Sequence, residues 1–221
     1  MNSLMETVCI VCTQVRDKTK QGISFHELLT KIRKEFKEHN IDLKVKSLRK
    51  KNLLPEEFYV NAYYDAVDDA NSDTAIEVII YHNFDRTIVW DRQHVTDLLI
   101  QVFDAVVHEF KHQRQSRKRY YEIYWHTSYE THLYLSDPDE IDAYAFSIAI
   151  ELCRILGKAR ALRYMSKFTS LSRLKIRNCY VSPSLFVYVK TFGNLDDCVL
   201  KLLAKKVYIR LQKLDSDHIF L

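Results

Sequence analysis

An α+β fold is what this 221-residue sequence predicts, and three observations predict it. Apolar residues recur three or four apart over 2–16, 24–39, the stretch from Asp91 to Phe110, and again from Asp137 onward, which is the period of amphipathic helices. Two runs, 58–65 and 74–84, are dense instead in β-branched and aromatic residues, as strands are. The chain holds only 3 Gly and 3 Pro, too few for a turn-rich all-β protein or for long flexible linkers.

The elements follow in order. After a first helix over 2–16, Ser24 reads as the N-cap of a second, with Glu27 three residues on in capping-box position ahead of Leu28, Leu29, Ile32 and Phe36. LKVKSLRKKNLLPEE is expected as a basic, solvated connection. FYVNAYYD and TAIEVIIYHNF, separated by the polar AVDDANSD, read as a hairpin, and TIVWD (87–91) as a third short strand. From about Asp91 the period is helical again, with Val95, Leu98, Leu99, Val102, Val106 and Phe110 on one stripe. YYEIYWHTSYETHLYLS (120–136) is long for a connection, and long loops are more often functional than merely connecting. A strong helix then opens at SDPDEIDAYAFSIAIELCRIL. Two or three more fill 158–221, punctuated by Ser182-Pro183 and Gly193-Asn194. The expectation is one domain over 1–221, with a core at about 55–157, a helical extension over 1–50 and a helical region over 158–221.

Composition excludes several classes. The net charge of +4 permits contact with nucleic acid without predicting it. Cys9, Cys12, Cys153, Cys179 and Cys198 are odd in number and mostly scattered, unlike a secreted disulfide scaffold. No apolar run approaches the roughly 20 residues that span a bilayer, and the start lacks a basic region ahead of its apolar run. A cytoplasmic location is therefore expected.

The chemistry concentrates in VVHEFKHQRQ, where His108-Glu109-Phe110-Lys111-His112 forms an H-E-x-x-H pattern. On a helix, histidines four apart project from one face one turn from each other, so two imidazoles can share a tetrahedral metal ion. Glu109 lies about 100° round from His108, placed to act on a water as general base without ligating the metal. Chance alone yields such a pattern in about 2% of chains of this composition, so the helical context matters.

A third ligand is available in Glu140, within Asp137-Pro138-Asp139-Glu140-Ile141-Asp142-Ala143. The bland explanation is a helix start: Asp137 as N-cap, Pro138 at the first helical position and Glu140 as a capping-box partner. Asp142 is the rival ligand but lies about 200° round the helix from Glu140. Glu140 shares its face with the small Ala143 and Ser147 and is the better candidate.

HEFKH followed some tens of residues later by Glu-x-x-Ala on a helix resembles the gluzincin branch of the zinc metallopeptidases. The combination with YLSDPDEIDAYA is also similar to small HExxH proteins encoded by bacteriophages. In those a Tyr-x-x-x-Pro-x-Glu-x-Glu/Asp-Ala segment recurs, here Tyr134, Pro138, Glu140, Asp142 and Ala143. The resemblance covers about residues 58–155. It implies a zincin-like fold, with a small twisted sheet packed on the active-site helix. It also implies Zn²⁺ held by His108, His112 and Glu140, Glu109 as general base, a peptide or protein substrate, and the host cytoplasm if the chain is phage-encoded. No methionine-turn or third-histidine pattern of metzincins is present. For the oxyanion donor that peptide hydrolysis needs, His126, Tyr129, His132 and Tyr134 stand as open alternatives.

Two rivals remain beside the metallopeptidase. One is an inactive zincin-like binding or structural protein, against which the intact Glu109 argues, since a binder has no use for the base. The other is a basic nucleic-acid-associated protein with a chance HExxH. Its cluster would be Arg114, Arg117, Lys118 and Arg119 beside Tyr120 and Tyr121, more often a solvated helix end that complements the helix dipole. Cys9 and Cys12, an isolated C-x-x-C in an apolar helical run, read as core residues. His26, His39, His82 and His94 show no ligand spacing.

Overall fold

A computed structural model describes residues 2–19, 22–85, 87–121, 131–168 and 181–214. They fall into two compact units, one within Met1–Ile123 and one within Tyr124–Ile219. The mixed α+β class holds.

The first unit runs α1 (Asn2–Lys18), β1 (Ile23–Ser24), α2 (Phe25–Glu38), β2 (Lys44–Arg49), β3 (Phe58–Tyr64), α3 (Ala66–Ala70), β4 (Ile76–His82), β5 (Val89–Trp90) and α4 (Arg92–Lys118). Its main sheet has the order β2-β4-β3, with β3 antiparallel and β2 parallel to the central β4. The expected hairpin is present, with α3 built into its connection. TIVWD pairs elsewhere: β5 joins β1 in a separate two-stranded ladder, Ile23 opposite Trp90.

The basic connection is a correction. Residues 1–50 are not simply a helical extension, because KVKSLR forms β2 at the edge of the sheet. Only Val45 of that strand is buried, so the apolar alternation that announces a strand is almost erased. Charged side chains of this kind suit an edge, where they discourage pairing with another chain.

Burial explains the packing. In β4, Val78, Ile80 and His82 are buried on one face, and α4 packs against β3, β4 and α1, burying Val95, Leu98, Leu99, Val102, Phe103 and Val106. The Gln101 side chain accepts a hydrogen bond from the Val60 N–H at 3.0 Å, fastening α4 to β3. Phe25 sits among His82, Phe84 and Trp90 with ring centroids 4.9 to 5.2 Å away, closing the core beside α2. His82 is structural, its Nδ1 3.1 Å from the Phe84 carbonyl. Cys12 is fully buried and neither it nor Cys9 forms a disulfide, as a helical core reading requires.

The second unit is helical: α5 (Thr131–Ser136), α6 (Pro138–Leu156), α7 (Lys158–Ser166), α8 (Pro183–Phe192) and α9 (Cys198–Lys213). Its centre is α6, apolar nearly all round from Ile141 to Cys153 and packed by α7, α8 and α9. Ser182 caps α8 with Pro183 at the first turn, and Gly193 ends it in the left-handed region at φ 66°, where a residue without Cβ is unstrained. Buried Glu151 of α6 accepts bonds from the Ser182 hydroxyl and, at 2.6 Å, the Ser184 hydroxyl, which ties α8 to α6.

Candidate metal centre

The HEFKH residues belong to α4. Asp91 caps the helix, accepting from the His94 N–H at 2.8 Å, and the apolar stripe then holds it against the sheet. Two turns before the end, His108 and His112 stand on one face with their Nε2 atoms 3.1 Å apart and their rings at 69°. Two nitrogens bound tetrahedrally at a zinc–nitrogen distance of 2.0–2.1 Å would lie about 3.3 Å apart. The pair is therefore already close to the spacing that a shared metal ion demands. The same spacing also suits an imidazole–imidazole hydrogen bond. His108, Glu109 and His112 are all half-buried.

One turn further on, α4 carries a different polar group. Buried Asp69, from α3, accepts from Arg117 through Nε at 2.9 Å and Nη2 at 2.7 Å, from Gln113 at 2.9 Å and from the Tyr64 hydroxyl at 3.0 Å. Burial works against its charge, but Arg117, Tyr64 and Gln113 together outweigh that and hold the carboxyl below its ordinary range. Burial in turn pushes the Tyr64 phenol up to about 12. Arg117 is thus engaged in a structural ion pair, which removes it from the basic helix end expected at 114–119. Of that cluster Arg114 and Lys118 are exposed, and Tyr120 is almost wholly so.

Glu140 and Asp142 belong to the second unit, and their surroundings there separate them. Asp142 is held by Arg210 of α9 at 2.7 Å and Lys206 at 3.4 Å. Asp137 caps α6 by accepting from the Asp139 N–H at 2.6 Å and the Glu140 N–H at 3.4 Å. The Asp137 N–H itself donates to the Tyr134 carbonyl at 3.1 Å. A capping box would send the Glu140 carboxylate back to that N–H, and Tyr134 already holds it.

Of the four oxyanion candidates, His126 and Tyr129 lie outside the described residues. His132 and Tyr134 are exposed on α5, and the His132 ring packs on Phe192 with centroids 4.5 Å apart. Sequence reasoning missed Tyr188 of α8. It is fully buried against Tyr144, and its hydroxyl has no hydrogen-bond partner among the described residues. Burial first, then the neighbouring Tyr144, Glu140 and Asp137, push its phenol far up. No motif marks it: it lies 48 positions beyond Glu140 in a helix that reads as plain core.

Among known proteins, no family model matches the chain, nor does any curated protein or any solved structure. No described helix is long and apolar enough to cross a membrane.

Proposed function

We propose that this chain is a zinc-dependent metallopeptidase of zincin type, with His108, His112 and Glu140 as metal ligands and Glu109 as general base. The observation that carries the reading is the pair of Nε2 atoms 3.1 Å apart on one face of α4, with Glu109 in the same turn. A donor set of two imidazoles and one carboxylate is one that zinc takes in catalytic sites. The engagement of Asp142 by Arg210 favours Glu140 as the third ligand.

Zinc bound there would supply a Lewis acid that polarises the scissile carbonyl and lowers the pKa of water. The protein's own part is proton handling and positioning. Glu109 accepts the proton of the attacking water and returns it to the leaving amine, a role in general worth about 10²–10⁴-fold in rate. His108 and His112 are held in register by a helix anchored along the sheet, so their geometry is prepaid by the core. Tyr188, a buried hydroxyl within the field of Glu140, joins the open list of hydrogen-bond donors on this side of the chemistry.

The test is zinc stoichiometry on tag-free protein, wild type beside His112→Ala, followed by peptide-library hydrolysis with Glu109→Gln. About one zinc per chain, lost in His112→Ala, is expected. Glu109→Gln should keep the zinc and lose hydrolysis by about 10²-fold or more. A Glu109→Gln protein that cleaved as well as wild type would overturn the mechanism. No zinc in wild type after reconstitution would reduce the HEFKH pair to a hydrogen bond between histidines.

A further inference from the structure

The face of the main sheet turned away from α4 has a composition of its own. Val78, Ile80 and His82 point into the core, so Glu77, Ile79 and Tyr81 alternate to the opposite side. The register sets Tyr59 opposite Tyr81 and Tyr63 opposite Glu77 on β3, with Lys46 opposite Ile79 and Leu48 opposite Tyr81 on β2. One continuous surface therefore carries Lys46, Leu48, Tyr59, Tyr63 and Tyr81. Lys50 extends it, its N–H continuing the ladder to the His82 carbonyl at 2.8 Å.

Three features of this surface point to a ligand. The Tyr59 and Tyr81 rings are stacked with centroids 4.8 Å apart, and Tyr63 is 50% exposed beside them. The Lys50 ammonium sits 3.9 Å from the Tyr81 ring centroid and donates to the Tyr59 hydroxyl at 2.6 Å, so aromatic groups fix its position, with no carboxylate beside it among the described residues. The segment that supplies the cations, KVKSLRKK over 44–51, comprising β2 and the two lysines after it, contains no acid. Among the described strand residues, the anion on this face is Glu77, and Lys46 matches it at 2.6 Å.

We propose that this face binds single-stranded nucleic acid, with bases stacking on Tyr63 and the Tyr59–Tyr81 pair and phosphates meeting Lys50 and the flanking cations of β2. Aromatic rings interleaved with cations form the stacking platform and electrostatic track that single strands require. An acidic peptide would use the cations alone, because carboxylates gain nothing from the electron-rich faces of the tyrosines. A duplex would present no unpaired base faces to a surface of this kind. The residues are separate from the proposed metal ligands, so the two readings stand or fall apart.

The experiment is fluorescence anisotropy of labelled 12-mer oligo(dT) and oligo(rU) against the full chain across a salt series. Binding at low salt is expected, with log K falling against log salt at a slope of about −1.4 to −2.1, as two or three phosphate contacts give on a single strand. Tyr63→Ala should weaken binding about fivefold or more, and Tyr63→Phe should retain it. Lys50→Gln should flatten the salt slope by about 0.7. Tyr63 is exposed, so its substitution leaves the fold intact, with a thermal melt as the control. Glu109→Gln should bind like wild type whatever the outcome for peptidase activity. No binding at low salt would overturn the proposal. So would binding that ignores Tyr63 and Lys50 but falls with Arg114→Gln and Lys118→Gln, or displacement of the oligonucleotide by poly-glutamate as readily as by unlabelled oligo(dT).

Discussion

Two helices of this protein open with the same sequence logic, a capping residue followed three positions later by glutamate, and they treat that glutamate differently. At α2 the box is complete: Ser24 accepts from the Glu27 N–H at 3.2 Å, and Glu27 accepts from the Ser24 N–H at 3.2 Å and its hydroxyl at 2.9 Å. At α6 only half is made. Asp137 caps, but its own N–H goes to the Tyr134 carbonyl one turn back in α5. A glutamate already used by its own helix has no reason to be anything else. At α6 the preceding helix takes the backbone N–H that would complete the box, so Glu140 is not held in one.

The largest effect that follows is on metal affinity. Glu140→Ala should lower zinc affinity by at least about 100-fold, beyond the 10- to 100-fold that loss of a group merely orienting a ligand costs. Glu27→Ala should leave it unchanged. Competition against a chromogenic zinc chelator separates the two. Equal affinities in Glu140→Ala and wild type would return Glu140 to the status of a helix-start residue and end the comparison.

Next in size are the carboxylates that the structure satisfies within each unit. Removing Asp69 leaves Arg117, Gln113 and Tyr64 without their shared acceptor. Arg117 is 56% exposed, so solvent screening limits the loss, and about 2–3 kcal/mol is expected. That corresponds to a melting temperature lowered by roughly 5–10 °C in Asp69→Ala. Asp142→Ala breaks the pair with Arg210 and Lys206 and should cost about 1–2 kcal/mol. Zinc content should be unchanged in Asp142→Ala. A protein that kept its melting temperature and lost its zinc would exchange the roles of Asp142 and Glu140.

The legibility of these features in sequence followed the range of the interactions that make them. The helix spans, the Ser24–Glu27 box, the Asp137 cap and the pairing of 58–64 with 76–82 all rest on residues close in the chain, and each could be read. β2 could not, because a strand at an edge with one buried residue carries no periodic signal, and its parallel partner β4 lies more than thirty positions away. The roles of Arg117 and Asp142 were hidden for the same reason. Arg117 looks like part of a basic helix end until Asp69, 48 positions back, is placed against it. Asp142 is a plausible ligand until Arg210, 68 positions on, takes it. HEFKH itself was legible because its geometry is set within one helical turn.

The smallest effects concern pH, and their signs differ along the same comparison. The Ser24 hydroxyl and backbone hold the Glu27 carboxyl below its ordinary value of 4.5, and Asp69 is likewise held below 3.8. A carboxyl whose folded pKa is depressed stabilises the fold above its unfolded value, and that contribution is lost as pH falls through the folded one. Both therefore fade only in acid, with Asp69 the larger because it is buried and Glu27 is not. Tyr64 runs the other way. Its phenol is raised to about 12 from 10, so the fold favours the neutral form, and the contribution is present below about pH 10 and lost between about 10 and 12. Denaturant melts from pH 3 to 11 should show the gap between wild type and Asp69→Asn narrowing below about pH 4. The gap between wild type and Tyr64→Phe should narrow only on the alkaline side. If the Asp69→Asn gap persisted undiminished to pH 3, the carboxylate would be more deeply stabilised than its partly exposed arginine allows. If it were already absent at pH 7, the Asp69–Arg117 pair would contribute nothing, and α3 would be fastened to α4 by other contacts.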